Sequence, residues 1–373
     1  MKKEMQEELK RIQAVPESSI QAYHAHLSFL LDRVNKKLAS RQDLEDLIGQ
    51  NPVNTMFDNH RNHAVFMDNV FQLGLFSLLL DIVPWVYRAY RNHGFSADYF
   101  PVHLRAWREA LEGIIDPDSS EPLLRVYDWM LSHHEDFVLL SEEPDSTYAA
   151  SSQPESEDRD LLFQALIHGD RSTVLRIGNE YTETPQDLKA FYQDLLQPVM
   201  YRIGELWERG EISVSREHLA SSLANTAVSS QYVRVMSEFQ PQKGRILVTA
   251  ASNEFHVLGA QMIANCLEAE GWEVDYLGAD TPSEDLVGYI WDQRPDVVAL
   301  SVTMPFNLIQ CKDIVERVKK EFQESRPKIM LGGLAFANHS EIVQRIGGDG
   351  YAEDCTQAIE LVEQWEGAQN VRK

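Results

Sequence analysis

The last third of this 373-residue chain alternates five times between a short β-branched run and a helical stretch, a pattern few folds can absorb. Pro241-Gln242-Lys243-Gly244 punctuates the chain, and apolar runs follow at 245–251, 272–277, 296–302, 328–331 and 350–351. Helices are expected after each run, starting at His256, Ser283, Phe306, Ser340 and Cys355. Strands this continuously apolar have no face to give to water, so they belong in a parallel sheet covered on both sides. Right-handed crossovers then make residues 241–373 a doubly wound α/β domain of flavodoxin-like, Rossmann-like type with five strands.

Upstream, the period is helical. A block over 160–240 reads as a bundle of helices, and residues 1–141 read as an all-α domain, with a globin-like arrangement as one option. Helices are expected there over 19–38, 63–90, 99–114 and 122–140, with Pro84 bending or ending one of them. Between the helical blocks, residues 142–159 hold Glu142-Glu143-Pro144-Asp145 and Ser151-Ser152-Gln153-Pro154-Glu155. Such acidic, Ser/Pro-containing sequence cannot build a core and reads as a linker.

Charge and cysteine content narrow the function. With 34 Lys+Arg against 58 Asp+Glu the formal net charge is −24, which repels phosphate backbones and argues against direct nucleic-acid binding. The greasiest stretch, 70–86, is interrupted by Gln72, Asp81 and Pro84. A membrane span needs about 20 mostly apolar residues, so a buried helix is expected and no membrane partner. The three cysteines, Cys266, Cys311 and Cys355, have no metal-ligand spacing and fit a reducing compartment. Met1-Lys2-Lys3-Glu4 leads into charge rather than an apolar segment, so a cytoplasmic location is expected.

In a doubly wound sheet, ligands gather beyond the carboxyl ends of the strands. Glu254-Phe255-His256-Val257-Leu258-Gly259 falls there, after the first strand. A carboxylate on one imidazole nitrogen makes the other a better metal ligand, and Gly259 would let the helix start pack tightly against whatever the loop holds. Forty-one residues lie between Gly259 and Ser301-Val302-Thr303, and twenty-eight between Thr303 and Gly332-Gly333. This series resembles the signature of cobalamin-binding Rossmann-like domains. The resemblance implies that His256 is the lower axial cobalt ligand. It also implies that Ser301, Thr303, Gly332 and Gly333 line the slot for the displaced nucleotide tail. The family has Asp where this chain has Glu254.

The preceding block resembles the four-helix cap of methionine synthases, corrinoid methyl carriers and cobalamin photoreceptors. Trp207, followed ten and eleven positions later by Glu217-His218, is similar to a motif of adenosylcobalamin-dependent light-sensing repressors of the CarH type. The resemblance implies that Trp207 covers the adenosyl group, that Glu217 hydrogen-bonds it, and that His218 ligates cobalt from above after light. A large indole face and a carboxylate acceptor suit those roles. The bland alternative makes Trp207 core filler and Glu217-His218 a helix cap.

Two function classes are expected from this. In one the chain is a light sensor, in which photolysis of the cobalt–carbon bond changes cap conformation or homo-oligomeric assembly. In the other it is a methylcobalamin carrier subunit of a methyltransferase system. No nucleophile constellation is present, no room remains for a TIM barrel of about 250 residues, and no catalytic residue is assigned. Residues 1–141 show no helix-turn-helix pattern with a basic recognition helix. They interleave aromatics with Arg88 and Arg91, and Tyr87, Arg88, Arg91, His93 and His103 are candidates for a second, tetrapyrrole chromophore. The architecture resembles photocobilin photoreceptors, which implies non-covalent biliverdin. Heme held by a histidine, or a plain dimerising bundle, are the alternatives. His60 and His63, like His133 and His134, are expected to be surface histidines rather than a zinc site.

Overall fold

The computed structural model describes residues 1–12, 14–143, 156–238, 240–337 and 340–370. The chain packs as two compact units that divide near residue 146.

The first unit is helical: α1 (Lys2–Ile12), α2 (Glu17–Ala39), α3 (Leu44–Ile48), α4 (Val53–Leu73), α5 (Leu78–Asn92), α6 (Tyr99–Ile114), α7 (Pro117–Ser132) and α8 (His134–Leu140). Its core is large and aromatic, with Tyr23, Phe71, Tyr99, Trp107 and Tyr127 essentially excluded from solvent. Two expected helices are in fact pairs. The stretch 63–90 breaks at Gly74, whose left-handed conformation (φ 63°, ψ 29°) lets its N–H close the end of α4. Pro84 sits inside α5 without ending it, because burial of Leu80, Val83 and Tyr87 outweighs one missing backbone hydrogen bond. The stretch 122–140 starts earlier, at Pro117, where the Asp116 carboxylate accepts from the Ser119 amide at 3.0 Å, and it breaks at His133. The apolar stretch 70–86 therefore spans the end of α4 and most of α5. Among the described residues no helix is long and apolar enough to cross a membrane.

Of the expected linker, residues 144–155 lie outside the described residues. The second unit opens with α9 (Glu157–His168), capped by Ser156, and α10 (Arg171–Tyr181). A continuous rod follows: α11 (Asp187–Ala190), a π-helical stretch (Phe191–Leu196) and α12 (Gln197–Glu208). With α13 (Val214–Met236) these make the four-helix cap. Its interior is apolar, with Leu162, Leu166, Ile177, Phe191, Ile203, Ala224 and Val228 buried in one core that runs on into the sheet layer.

The sheet has β1 (Arg245–Ala250), β2 (Glu273–Gly278), β3 (Val297–Ser301), β4 (Lys328–Gly332) and β5 (Gly350–Ala352). All pairings are parallel, in the order β2-β1-β3-β4-β5. The helices α14 (Leu258–Ala269), α15 (Ser283–Gln293), α16 (Leu308–Phe322), α17 (Ser340–Ile346) and α18 (Cys355–Asn370) complete the doubly wound layer. α14 starts at Leu258, two residues later than expected, because the Glu254 side chain takes up the His256 amide. α16 is likewise preceded by a 3-10 turn over Pro305–Asn307. The strand order reverses between β1 and β3, so the loops leaving those strands flank the crevice where such sheets bind ligands.

Candidate cofactor-binding site

The loop after β1 is shaped by its own backbone and by the loop after β2. Asn253 (φ 62°) and Asp280 (φ 50°) both adopt positive φ. The Asn253 amide donates to the Asp280 carboxylate at 2.8 Å, and the Asp280 amide donates to the Glu254 carbonyl at 3.1 Å. Tyr276 donates its hydroxyl to the Val257 carbonyl at 3.1 Å, fixing the far end of the loop.

Glu254 lies at the centre, fully buried, and its carboxylate accepts five hydrogen bonds. Oε1 takes the amide of His256 at 3.0 Å and its ring Nδ1 at 2.7 Å. Oε2 takes the amides of Thr303 and Met304, each at 2.9 Å, and Asn307 Nδ2 at 3.1 Å. Burial alone would raise this carboxyl. The bonds from His256 and the Met304 amide, with the His256 charge, outweigh it and bring the group down to about 2. The hydrogen bond to Glu254 in turn raises His256 against the opposing effect of burial. With Nδ1–H tied to the carboxylate, the remaining lone pair of the neutral ring is on Nε2. The His256 side chain is 60% exposed, so that nitrogen is available to a ligand.

The two groups of glycines differ in what they serve. A Cβ on Gly333 (φ 98°) would sit 2.3 Å from the Val302 carbonyl oxygen, and one on Gly332 would sit 3.1 Å from the Ala352 oxygen. Gly333 is thus demanded by the fold itself, not only by an approaching ring. At Gly259 a Cβ would meet nothing of the chain within 4 Å, so the protein's own packing does not require a glycine there. That side of the loop is open. Ser301 lies in register with Ala250 on β1 and Gly332 on β4, while Thr303 contributes its backbone amide to Glu254. Phe255 is 68% exposed beside His256.

On the cap, α12 turns Val199 and Ile203 into the core, with Met200 and Leu206 packed against it and Trp207 half-buried at the end of the row. Ser213 caps α13, placing Glu217 and His218 in its first turns. Glu217 accepts from Ser221 and pairs with His218 Nδ1 at 2.6 Å, while the His218 ring stays largely exposed. The negative charge of Glu217 also contributes to raising His256. Gln261 on α14 donates to Ser229 on α13 at 3.3 Å, joining the cap to the helix that follows the His256 loop.

Residues 244–360 match the B12 binding domain, and residues 159–230 match a second B12 binding domain model. The second unit carries B12-binding domains. The dimethylamine corrinoid protein 3 of Methanosarcina acetivorans is 26% identical over 160 residues, 43% of this chain and 74% of its own. The HTH-type transcriptional repressor CarA of Myxococcus xanthus is 28% identical over 219 residues, 58% of this chain and 72% of its own. A solved monomethylamine corrinoid protein of Methanosarcina barkeri covers 54% of this chain and 94% of itself, at 19% identity and a TM-score of 0.48. Cobalamin is the cofactor these domains support. The residues present suit it: a buried, ionised carboxylate orients an exposed imidazole, and the loop beside that imidazole is open. Asn307, Met304 and Tyr276 hold the loops around Glu254 and His256 and were missed in the sequence. Asn307 alone left a trace, as a polar residue at the start of the helix after β3.

In the first unit the candidate residues are spread over several contacts. Tyr87 stacks on Phe100 at 3.6 Å between ring centroids and bonds His134 at 3.1 Å. Arg88 donates to the Ser141 and Glu143 carbonyls, and Arg91 to the Ser141 hydroxyl with an ion pair to Glu142. His93 is half-buried, and its carbonyl accepts from Asn51. His103 is buried and accepts from the Trp107 indole at 2.5 Å. The expectation of surface histidines fails: His60 is fully buried, His63 is half-buried, and His133 and His134 are each partly covered. His60 and His63 both pack on His103, with ring centroids at 4.8 and 4.6 Å, because α4 and α6 turn these positions inward together. Burial lowers His60 and His63 to about 3 and His103 well below its usual value. Among the described residues no cluster of three or more His, Cys, Asp or Glu is arranged to hold a metal ion.

Proposed function

We propose that the chain is an adenosylcobalamin-dependent light sensor. When bound, the cofactor supplies a cobalt–carbon bond that visible light breaks. The observation that carries this reading is the set of cap residues Trp207, half-buried near the end of α12, and Glu217, paired with an exposed His218 in the first turns of α13. In that reading His256 would offer Nε2 to the cobalt while Glu254 holds its Nδ1–H and its orientation. Trp207 would exclude water from the bound adenosyl group, Glu217 would accept hydrogen bonds from its ribose or adenine, and His218, exposed and next in sequence, would offer a second imidazole to the cobalt. Displacement of α12 or α13 then alters conformation or homo-oligomeric assembly.

Similarity to CarA and to dimethylamine corrinoid protein 3 supports cobalamin equally for a regulator and for a methyl carrier. The sensor is favoured by the Trp207–Glu217–His218 resemblance. Loading the dark protein with adenosylcobalamin and exposing it to green light separates the two. An irreversible visible spectral change is expected, with a product spectrum altered by His218→Ala. A product spectrum identical with and without His218 refutes the upper-ligand role. His256→Ala should weaken binding and abolish the imidazole-ligated dark spectrum.

We further propose a non-covalent tetrapyrrole in the first unit, biliverdin before heme. Support comes from two buried atoms left without a hydrogen-bond partner, His60 Nε2 and the Tyr99 hydroxyl, whose rings lie nearly parallel with centroids 6.3 Å apart. A red-absorbing band with biliverdin, or a Soret band with heme, discriminates between them; neither band leaves a structural bundle.

A further inference from the structure

The three cysteines carry no pairing signal in the sequence, yet the fold brings two of them together. Cys266 on α14 and Cys355 at the start of α18 are 89 positions apart, and their Sγ atoms lie 2.8 Å from each other. Non-bonded heavy atoms pack at roughly 3.5–4 Å, so these sulfurs are already inside ordinary contact. Both are buried, as is Cys311 on α16.

The residues adjoining these sulfurs have a second property. Asn265, next to Cys266, donates to the Tyr192 hydroxyl at 2.9 Å. Thr356, next to Cys355, donates to Gln193 Oε1 at 3.0 Å. Tyr192 and Gln193 both belong to the π-helical stretch that interrupts the α11–α12 rod. Such interruptions are uncommon and concentrate at functional positions. The rod that carries Trp207 is therefore seated by two side chains, each one position from a cysteine.

We propose that Cys266 and Cys355 form a reversible disulfide that ties α14 to α18 and clamps the seat of the α11–α12 rod. The oxidant class is a peroxide. One sulfur attacks a peroxide oxygen, the O–O bond breaks, and a sulfenic acid forms as water leaves. The second sulfur displaces the sulfenic hydroxyl, the S–S bond forms, and a second water leaves. Two thiol hydrogens and two electrons pass to the peroxide. Burial keeps the Cys266 thiol neutral, so the reaction waits on local opening and is slow in the resting protein.

The test treats the reduced full chain with hydrogen peroxide and follows intact mass, a peptide map and backbone amide exchange. The mass should fall by two hydrogens and recover with dithiothreitol, the map should join Cys266 to Cys355, and C311A should behave identically. C266A and C355A should instead gain oxygen. Amide exchange over 191–196 should slow several-fold in the oxidised wild type. Gain of oxygen without loss of hydrogen in the wild type, or a link that includes Cys311, overturns the disulfide. A Cys266–Cys355 link with unchanged exchange over 191–196 overturns the clamp.

Discussion

Glu254→Gln is the substitution most exposed to the arithmetic of the site. The carboxylate accepts from five donors, three at Oε2 and two at Oε1. An amide offers one acceptor oxygen and one donor nitrogen. Keeping its oxygen toward Thr303, Met304 and Asn307 points the NH2 at His256, and the His256 amide loses its acceptor. An unpaired donor of this kind costs roughly 1–3 kcal/mol, which the apo protein should lose. Linkage gives a similar figure. A carboxyl lowered from 4.5 to about 2 holds roughly 3 kcal/mol of stability, fully present above pH 4.5 and lost as pH falls through about 2. The NH2 also favours the His256 tautomer with hydrogen on Nε2, which removes the lone pair a cobalt ion needs. Cobalamin affinity should fall 10–100-fold. Urea denaturation of the apo protein and cobalamin titration by visible absorbance measure both. A stability change below about 0.5 kcal/mol would refute the claim that these five bonds hold the loop.

The glycines give a paired contrast. Gly333→Ala meets the Val302 backbone and a positive φ, and should cost roughly 2–4 kcal/mol in the apo protein. Gly259→Ala meets nothing in the chain and should leave the apo midpoint unchanged while lowering cobalamin affinity, as paired thermal melts and titrations would show. In the first unit, His60 titrates near 3 when folded and near 6.5 when unfolded, so stability is lost as pH falls below 6.5. By pH 5 the loss from His60 alone should be about 2 kcal/mol, read as a falling urea midpoint of the helical signal. A midpoint flat from pH 7 to 5 would show that His60 is not buried in the neutral form.

What the sequence made legible follows the range of the interactions involved. The inner strands β1, β3 and β4 were readable because burial on both faces leaves them almost continuously apolar, whereas edge strand β2 carries Glu273 and Asp275. The order β2-β1-β3-β4-β5 is not fixed by crossover handedness, which sets only the face each helix covers. Helix ends in the first unit were harder. The break at Gly74 depends on one left-handed residue inside an apolar pattern that continues on both sides. Burial of His60 was hidden because its partners come from other helices: Asn35 on α2, and Tyr99 and His103 on α6. His256 and Glu254 stood out because they are two residues apart. Their donors on the β3 loop lie 49 to 53 positions away and act partly through backbone amides, which carry no residue signature.

The glutamate itself is the last clue, because its length is what joins the two loops. With one methylene fewer, an aspartate at 254 would draw the carboxylate back by about 1.5 Å. The present bonds run from 2.7 to 3.1 Å, so such a shift breaks contact with either the His256 side or the β3 loop. Glu254→Asp keeps the charge, so loss of charge cannot account for its effect. If reach across the crevice matters, this variant should lose apo stability on the same scale as Glu254→Gln while keeping the His256 tautomer, and so retain more cobalamin affinity. Equal stability for Glu254→Asp and the wild type would mean that the β3 loop stands without the carboxylate, and that the coupling of His256 to that loop is incidental.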